Sequence, residues 1–243
     1  MNTNHYIHSK KENKKMNSKI VKQAFFKSLP VMAGYIVLGI GFGILFRNAG
    51  YGVWWALAAS TFIYAGSMQY VGVGLIASGA SVLTALMTTL TVNARHLFYS
   101  ISMIDRYKDT KPYKPYLIFA LTDETYSLLC DGVPDNVDNA GLYYFLVSFL
   151  NQCYWIIGSV AGNLVGSILP FSTVGIEFSM TALFIASFTE QWLVTRDHIP
   201  ALTGLISALV CLVVFGADGF LIPAMLLITL ILTIFRRRKE ADQ

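Results

Sequence analysis

A chain of 243 residues that is 55% hydrophobic and 13% charged, with a mean hydropathy of +0.55, is too apolar for an ordinary soluble domain, where about 25% of residues carry charge. The composition points to a polytopic membrane protein. The net charge of +4 sits largely at the two ends, and the basic N-terminal stretch lacks the interleaved aromatics of a nucleic-acid binder, so that class is excluded.

In chain order, residues 1–27 read as a basic, disordered cytoplasmic tail carrying Lys10, Lys11, Lys14, Lys15, Lys19, Lys22 and Lys27. No small-residue cleavage site follows it, so it does not resemble a signal peptide. Met16 offers an alternative start. Apolar runs follow at about 28–46, 53–79, 81–104, 116–130, 141–169, 178–195, 199–216 and 219–235. A helix needs about 20 residues to cross ~30 Å of hydrocarbon. The expectation is an all-α, polytopic integral membrane helical bundle of about seven or eight membrane segments over residues 28–235. A basic tail at 236–243 closes the chain.

Two runs are too long for one simple span: 53–79, interrupted by Gly66, and 141–169, which contains Gly158, Gly162 and Gly166. Gly39 and Gly43 in the first run share the small-xxx-small spacing of Gly158, Gly162 and Gly166. That spacing lets helix backbones approach closely, so helix packing is the preferred reading over an unwound ion site. Residues 62–70 can also be laid on 184–192, a weak internal repeat suggesting two related halves, a common transporter plan.

Loop charge sets the orientation. The 105–115 connection holds Arg106, Lys108, Lys111 and Lys114 and reads as cytoplasmic, as does the N-terminus. The 131–140 loop carries acids without Lys or Arg. Three simple spans before residue 105 would put its basic loop outside. A broken, re-entrant or doubled element hinged near Gly66 removes the conflict. The basic C-terminus raises a second parity problem, which a break within 141–169 could solve.

The costly residues lie within the apolar runs. Arg95 is nine residues before Ile104 and Asp123 eight after Pro115. At 1.5 Å per residue both sit roughly 12–14 Å from the intervening loop, near mid-bilayer. Arg95 and His96 are thus expected level with Asp123 and Glu124. Such groups are costly unless matched. One reading is a structural ion pair locking the hairpin; the other is a functional cluster in which His96, Asp123 or Glu124 carries a proton. Thr89, Asn93, His96 and Ser100 share one helix face. Around Gly66, Tyr64, Ser67 and Gln69 form a polar cluster, where an opened helix would offer backbone donors to a carboxylate; a kinked packing helix is the alternative. Trp192 and Trp54-Trp55 read as interfacial anchors, and Glu190 and Asp218 as peripheral. HExxH, GxSxG and phosphate-loop signatures are absent. Cys130, Cys153 and Cys211 read as small hydrophobes. No enzyme, metal or cofactor is expected.

The chain resembles the AzlC family of branched-chain amino acid exporters. The matching features are Leu29-Pro30 with Gly34, Gly39 and Phe42-Gly43; Tyr64-Ala65-Gly66 with Gln69; Asn93-Ala94-Arg95-His96 with Tyr99-Ser100; and Thr122-Asp123-Glu124. They cover about 25–130; the second half matches in hydropathy and length, and Ala94 stands where the family often has an aliphatic residue. The resemblance implies a permease subunit in a bacterial plasma membrane, working with a small AzlD-like membrane subunit and exporting valine, leucine, isoleucine or close analogues. Depth and polarity, not the resemblance, suggest the site: donors around Gly66 and Ser67, together with Asn93 or Arg95, hold the carboxylate, and Gln69 belongs to the substrate-binding set. The ammonium or the coupled proton falls to Asp123 or Glu124, with His96 as a second proton carrier. Tyr64, Tyr99 and Tyr126 would carry the apolar side chain. The competing function is a channel-like or assembly subunit whose charges are structural.

Overall fold

The computed structural model describes residues 3–134, 137–168, 178, 181–182, 185, 188–189, 192–193, 197–216 and 219–241. Its elements are α1 Thr3–Asn48, α2 Val53–Phe62, α3 Gly66–Ala77, α4 Val82–Asn93, α5 Arg95–Met103, α6 Lys114–Phe119, α7 Asp123–Leu129 and α8 Ala140–Ile168, then α9 Ile199–Phe215 and α10 Leu221–Ala241. The described residues contain no strand, as the all-α expectation requires. By their contacts they divide into two compact units: Met1–Gly79 with His96–Glu177, and Ala80–Arg95 with Phe178–Gln243.

The first unit is built on the crossing of α1 and α8. A Cβ on Gly39 would meet the Ser159 amide nitrogen at 2.9 Å, and one on Gly158 the Ile36 carbonyl at 2.7 Å; on Gly43 and Gly162 it would collide with the Ser159 and Ile40 carbonyls. The two glycine series therefore face each other, and the packing reading of the small-xxx-small spacing holds. Asn163 fastens the crossing by donating to the Gly43 carbonyl at 3.3 Å and the Tyr51 carbonyl at 3.0 Å.

Several expectations are corrected here. The tail is helical from Thr3, not disordered to residue 27. Ile20, Ala24 and Ser28, spaced four apart on one helix face, are all buried; Ile20 and Ala24 pack with Met103, Leu117, Leu129 and Tyr143. That burial offsets the helix's exposed lysines. α8 runs unbroken for 29 residues, so its glycines do not interrupt it. The 116–130 run is two short helices parted at 120–122. The 81–104 run is interrupted at Ala94, which keeps helical dihedrals (φ −53°, ψ −33°) while its amide bonds the Thr91 carbonyl, three residues back, at 3.3 Å.

The break near Gly66 is present, and its contacts show its path. Tyr51 lies beside Asn163 and Thr61 beside Gln152, so α2 runs antiparallel to α8. Gly66 and Gln69 then meet Trp155, and Tyr70 reaches the Leu38 carbonyl at 2.6 Å and packs 6.0 Å from Phe42. The chain reverses at the joint and α3 returns along α1.

Among the described residues, Asn17–Asn48 and Ala140–Ile168 are long and apolar enough to cross a membrane, and Val53–Phe62, Val82–Asn93, Ile199–Phe215 and Ile222–Phe235 are shorter apolar helices. α8 buries Ser148, Asn151, Gln152, Ser159 and Asn163 and exposes Phe149, Ile157, Leu164 and Ile168, the reverse of a helix facing water. A lipid surround explains that inversion.

In the second unit α9 and α10 pair, with Ser207, Cys211 and Ala224 buried. Trp192 stacks on His198 at 4.1 Å beside a cavity of about 450 Å³. Glu190, Gln191, Asp218 and most of the repeat partner 184–192 lie outside the described residues.

Candidate functional site

Two helix joints of the first unit carry the polar residues. At the α2–α3 joint, Tyr64 takes a left-handed conformation (φ 43°), the sole non-glycine to do so among the described residues. Ile63 and Tyr64 both donate to the Ala59 carbonyl. Gln152 donates to the Thr61 carbonyl at 3.0 Å and accepts from the Tyr116 hydroxyl at 2.6 Å, satisfying a backbone group that the break leaves over. Gly66 does not itself open the helix, as the sequence suggested; it is the first helical residue, and a Cβ there would press the Trp155 ring at 3.3 Å. The Trp155 indole nitrogen donates to Gln69 Oε1 at 2.9 Å. Indole N–H is donor only, so this bond fixes the orientation of the Gln69 amide. The α3 N-terminus has Ala65 at its cap position, which supplies no side-chain cap.

At the α6–α7 joint, Thr122 is extended (ψ 173°) and its hydroxyl accepts from the Thr125 amide at 3.2 Å, an N-cap. Asp123 and Glu124 follow in the first turn, where the helix dipole favours acids. Adjacent in sequence, they diverge in space. Asp123 Oδ1 lies 4.0 Å from His96 Nε2. Glu124 Oε2 lies 2.7 Å from the Tyr35 hydroxyl of α1. That hydroxyl is also 2.7 Å from Thr122 Oγ1, which is 3.1 Å from Thr125 Oγ1; Asn151 of α8 donates to Thr125 Oγ1 at 3.0 Å. Tyr64 faces Glu124, Tyr35 and Thr125, which joins the two clusters. Tyr99 stacks on Tyr126 at 4.8 Å and meets the His96 ring edge-on at 5.9 Å.

The structure thus gathers Tyr64, Gly66, Gln69, His96, Asp123 and Glu124 in the first unit. Ser67 is in the same unit, in the first turn of α3. Asn93 ends α4 and Arg95 begins α5; both belong to the second unit. The structure sets His96 beside Asp123 and Tyr35 beside Glu124.

Sequence reasoning missed Tyr35, Thr125, Asn151, Gln152 and Trp155. A signal existed on α8: Ser148, Asn151, Gln152, Trp155, Ser159 and Asn163 recur at helical spacing on one face, and all are buried.

The family described as AzlC protein matches residues 30–169. A Bacillus subtilis protein named branched-chain amino acid transport protein AzlC is 43% identical over 220 residues, 90% of this chain and 86% of its own length. A Helicobacter pylori membrane protein is 43% identical over 91% of this chain and 97% of its own. The inner membrane protein YgaZ of Escherichia coli is 28% identical over 73% and 78%. No solved structure gives a significant match.

Proposed function

This chain belongs to the AzlC family of membrane proteins, and from that premise we propose that it is a secondary transporter exporting branched-chain amino acids across a bacterial plasma membrane, coupled to protons. The observation that carries the reading is the 43% identity, over 90% of the chain, to the Bacillus subtilis branched-chain amino acid transport protein. The joints described above support it. Polar groups at interrupted helices are what a transporter needs to bind a zwitterion within an apolar medium.

In this reading the first turn of α3, at Gly66 and Ser67, together with Gln69, receives the substrate carboxylate. Asn93 and Arg95, polar residues of an apolar run, are assigned to substrate binding as well. The acids at the start of α7 and His96 serve the ammonium and the proton. Tyr64, Tyr99 and Tyr126 provide aromatic surface for a branched side chain. A small AzlD-like membrane subunit is the proposed partner, and the N-terminus is proposed to be cytoplasmic.

The test is labelled valine flux in proteoliposomes, with and without a pH gradient and a co-expressed small subunit. Flux driven by the gradient is expected, with loss in Arg95→Ala and Asp123→Asn that still insert normally. Wild-type rates in both variants would remove these residues from the site, and absence of flux for valine, leucine and isoleucine in every condition would overturn the export reading.

A further inference from the structure

We propose that α6–α7 is a second re-entrant hairpin, entering from the face opposite to α2–α3, and that the two tips, meeting at Tyr64 and Phe119, form the barrier that closes the substrate's path. The barrier role rests on the transport reading above; the path of the chain does not.

α8 serves as a ruler, because it runs unbroken from Ala140 to Ile168. α1 lies parallel to it: Ile36 approaches Gly158, Ile40 approaches Gly162 and Ile44 approaches Gly166. The two helices therefore start on the same face. The 105–115 connection gathers there too. Gly141 lies against Thr110 and Tyr113, and Ile20 and Ala24 of α1 share one cluster with Met103, Tyr107 and Tyr143. α6 departs from this face. Tyr113 and Tyr116 each pack 5.1 Å from Phe145, and the Tyr116 hydroxyl reaches Gln152. The rise along α8 from Gly141 to Gln152 is about 16 Å, roughly half the hydrocarbon thickness.

α7 then comes back. Thr122 meets Tyr35 at 2.7 Å and Thr125 meets Asn151 at 3.0 Å. Leu129 rejoins the cluster of Ile20 and Ala24, and a Cβ on Gly132 would stand 2.8 Å from Arg106 Nη1. A simple span over 116–130 would part Arg106 from Gly132 by the full ~30 Å of hydrocarbon; instead they lie side by side. The 131–140 loop thus shares a face with the basic 105–115 loop. Its acids do not oppose this, since orientation follows Lys and Arg. The hairpin also supplies the second reversal that the basic C-terminus calls for and that an unbroken α8 does not.

The tips meet at one level of α8. α2–α3 turns beside Gln152 and Trp155, and α6–α7 turns beside Asn151 and Gln152. Gln152 holds both: its Nε2 donates to the Thr61 carbonyl at 3.0 Å and its Oε1 accepts from the Tyr116 hydroxyl at 2.6 Å. A carbonyl only accepts, so the amide has one orientation, and one side chain fastens both tips. The Tyr64 and Phe119 rings touch across the seam, with centroids 6.3 Å apart. Residues 61–66 and 117–122 carry no charge and include Phe62, Ile63, Ile118 and Phe119. An apolar constriction of this kind resists water and ions. Gln69 follows one tip in sequence and Glu124 the other. A zwitterion bound beside one tip reaches the opposite face only when the tips part.

Impermeant thiol labelling, in a background lacking Cys130, Cys153 and Cys211, tests the path. Asp131→Cys should label from the same face as Lys108→Cys and from the face opposite to Ala49→Cys. Labelling of Asp131→Cys from the Ala49 face overturns the hairpin. Valine flux in proteoliposomes without a pH gradient tests the barrier. Phe119→Ala and Gln152→Leu, each keeping the wild-type labelling pattern, should leak valine several-fold faster than the wild type, while a trapped sugar stays inside. In Tyr64→Cys with Phe119→Cys, a cleavable bridging thiol reagent should stop the leak and its cleavage should restore it, a comparison made within one protein. Wild-type leak rates in both single variants, or a leak that survives bridging, overturn the barrier. If the wild type carries no branched-chain amino acid under any condition, the transport reading fails, while the labelling still decides the hairpin.

Discussion

Trp155 shows how much one side chain can hold at this site. Its ring lies edge-on to Tyr35 at 5.5 Å and stacks with Phe42 at 6.1 Å. It covers Gly66 and donates to the buried Gln69. Trp155→Phe keeps an aromatic ring but removes the donor, leaving Gln69 Oε1 buried without its partner. Such an orphan costs about 1–3 kcal/mol, so the thermal midpoint in detergent should fall. Trp155→Phe with Gln69→Leu removes both halves of the bond, and the double variant should recover much of the loss. A double variant as unstable as the sum of the singles would show that packing, not the hydrogen bond, is what Trp155 supplies.

At the scale of elements, the α1–α8 crossing depends on missing side chains. A Cβ on Gly162 would overlap the Ile40 backbone, and backbone cannot swing aside as a flexible side chain can. Gly162→Ala should therefore destabilise by about 1–3 kcal/mol, the usual cost of overpacking. Gly72 and Gly74 of α3 have open space where a Cβ would stand. Alanine at either should be neutral or stabilise by about 0.5–1 kcal/mol through helix propensity. Thermal unfolding of the three variants in one detergent separates the cases, and equal effects would show that close approach is not what the α8 glycine provides. This crossing was legible in the sequence because small residues four apart have one dominant use in lipid. The α6–α7 joint was less so: its signature, Thr122 followed by two acids, is a helix start, but a continuous apolar run masks it. The stripe from Ser148 to Asn163 was hidden for a similar reason, since hydropathy averaged over 29 residues does not register one polar face. In the tail the lysines concealed the four-residue spacing of Ile20, Ala24 and Ser28. Tyr35 had no sequence signal, because its importance comes from Glu124, 89 positions away.

For the whole molecule the open variable is the path through the membrane, and the α2–α3 joint decides it. α2 has 10 residues and α3 has 12, about 15 and 18 Å of helix, each roughly half the hydrocarbon thickness. A pair of half-length helices that reverses at Tyr64 enters and leaves on one side. With the basic N-terminus inside and α1 crossing once, both Ala49 and Ser78 should be outside. The 81–104 run then crosses back, placing Arg106, Lys108, Lys111 and Lys114 inside, where their charge belongs. The check is membrane-impermeant thiol labelling of single-cysteine variants in a background lacking Cys130, Cys153 and Cys211. Ala49→Cys and Ser78→Cys should label in intact cells, and Lys108→Cys only after permeabilisation. Labelling of Ala49→Cys without Ser78→Cys would mean that α2 and α3 together form one span. The next crossing would then carry the 105–115 loop outside, against its four basic residues, and the re-entrant path would be wrong.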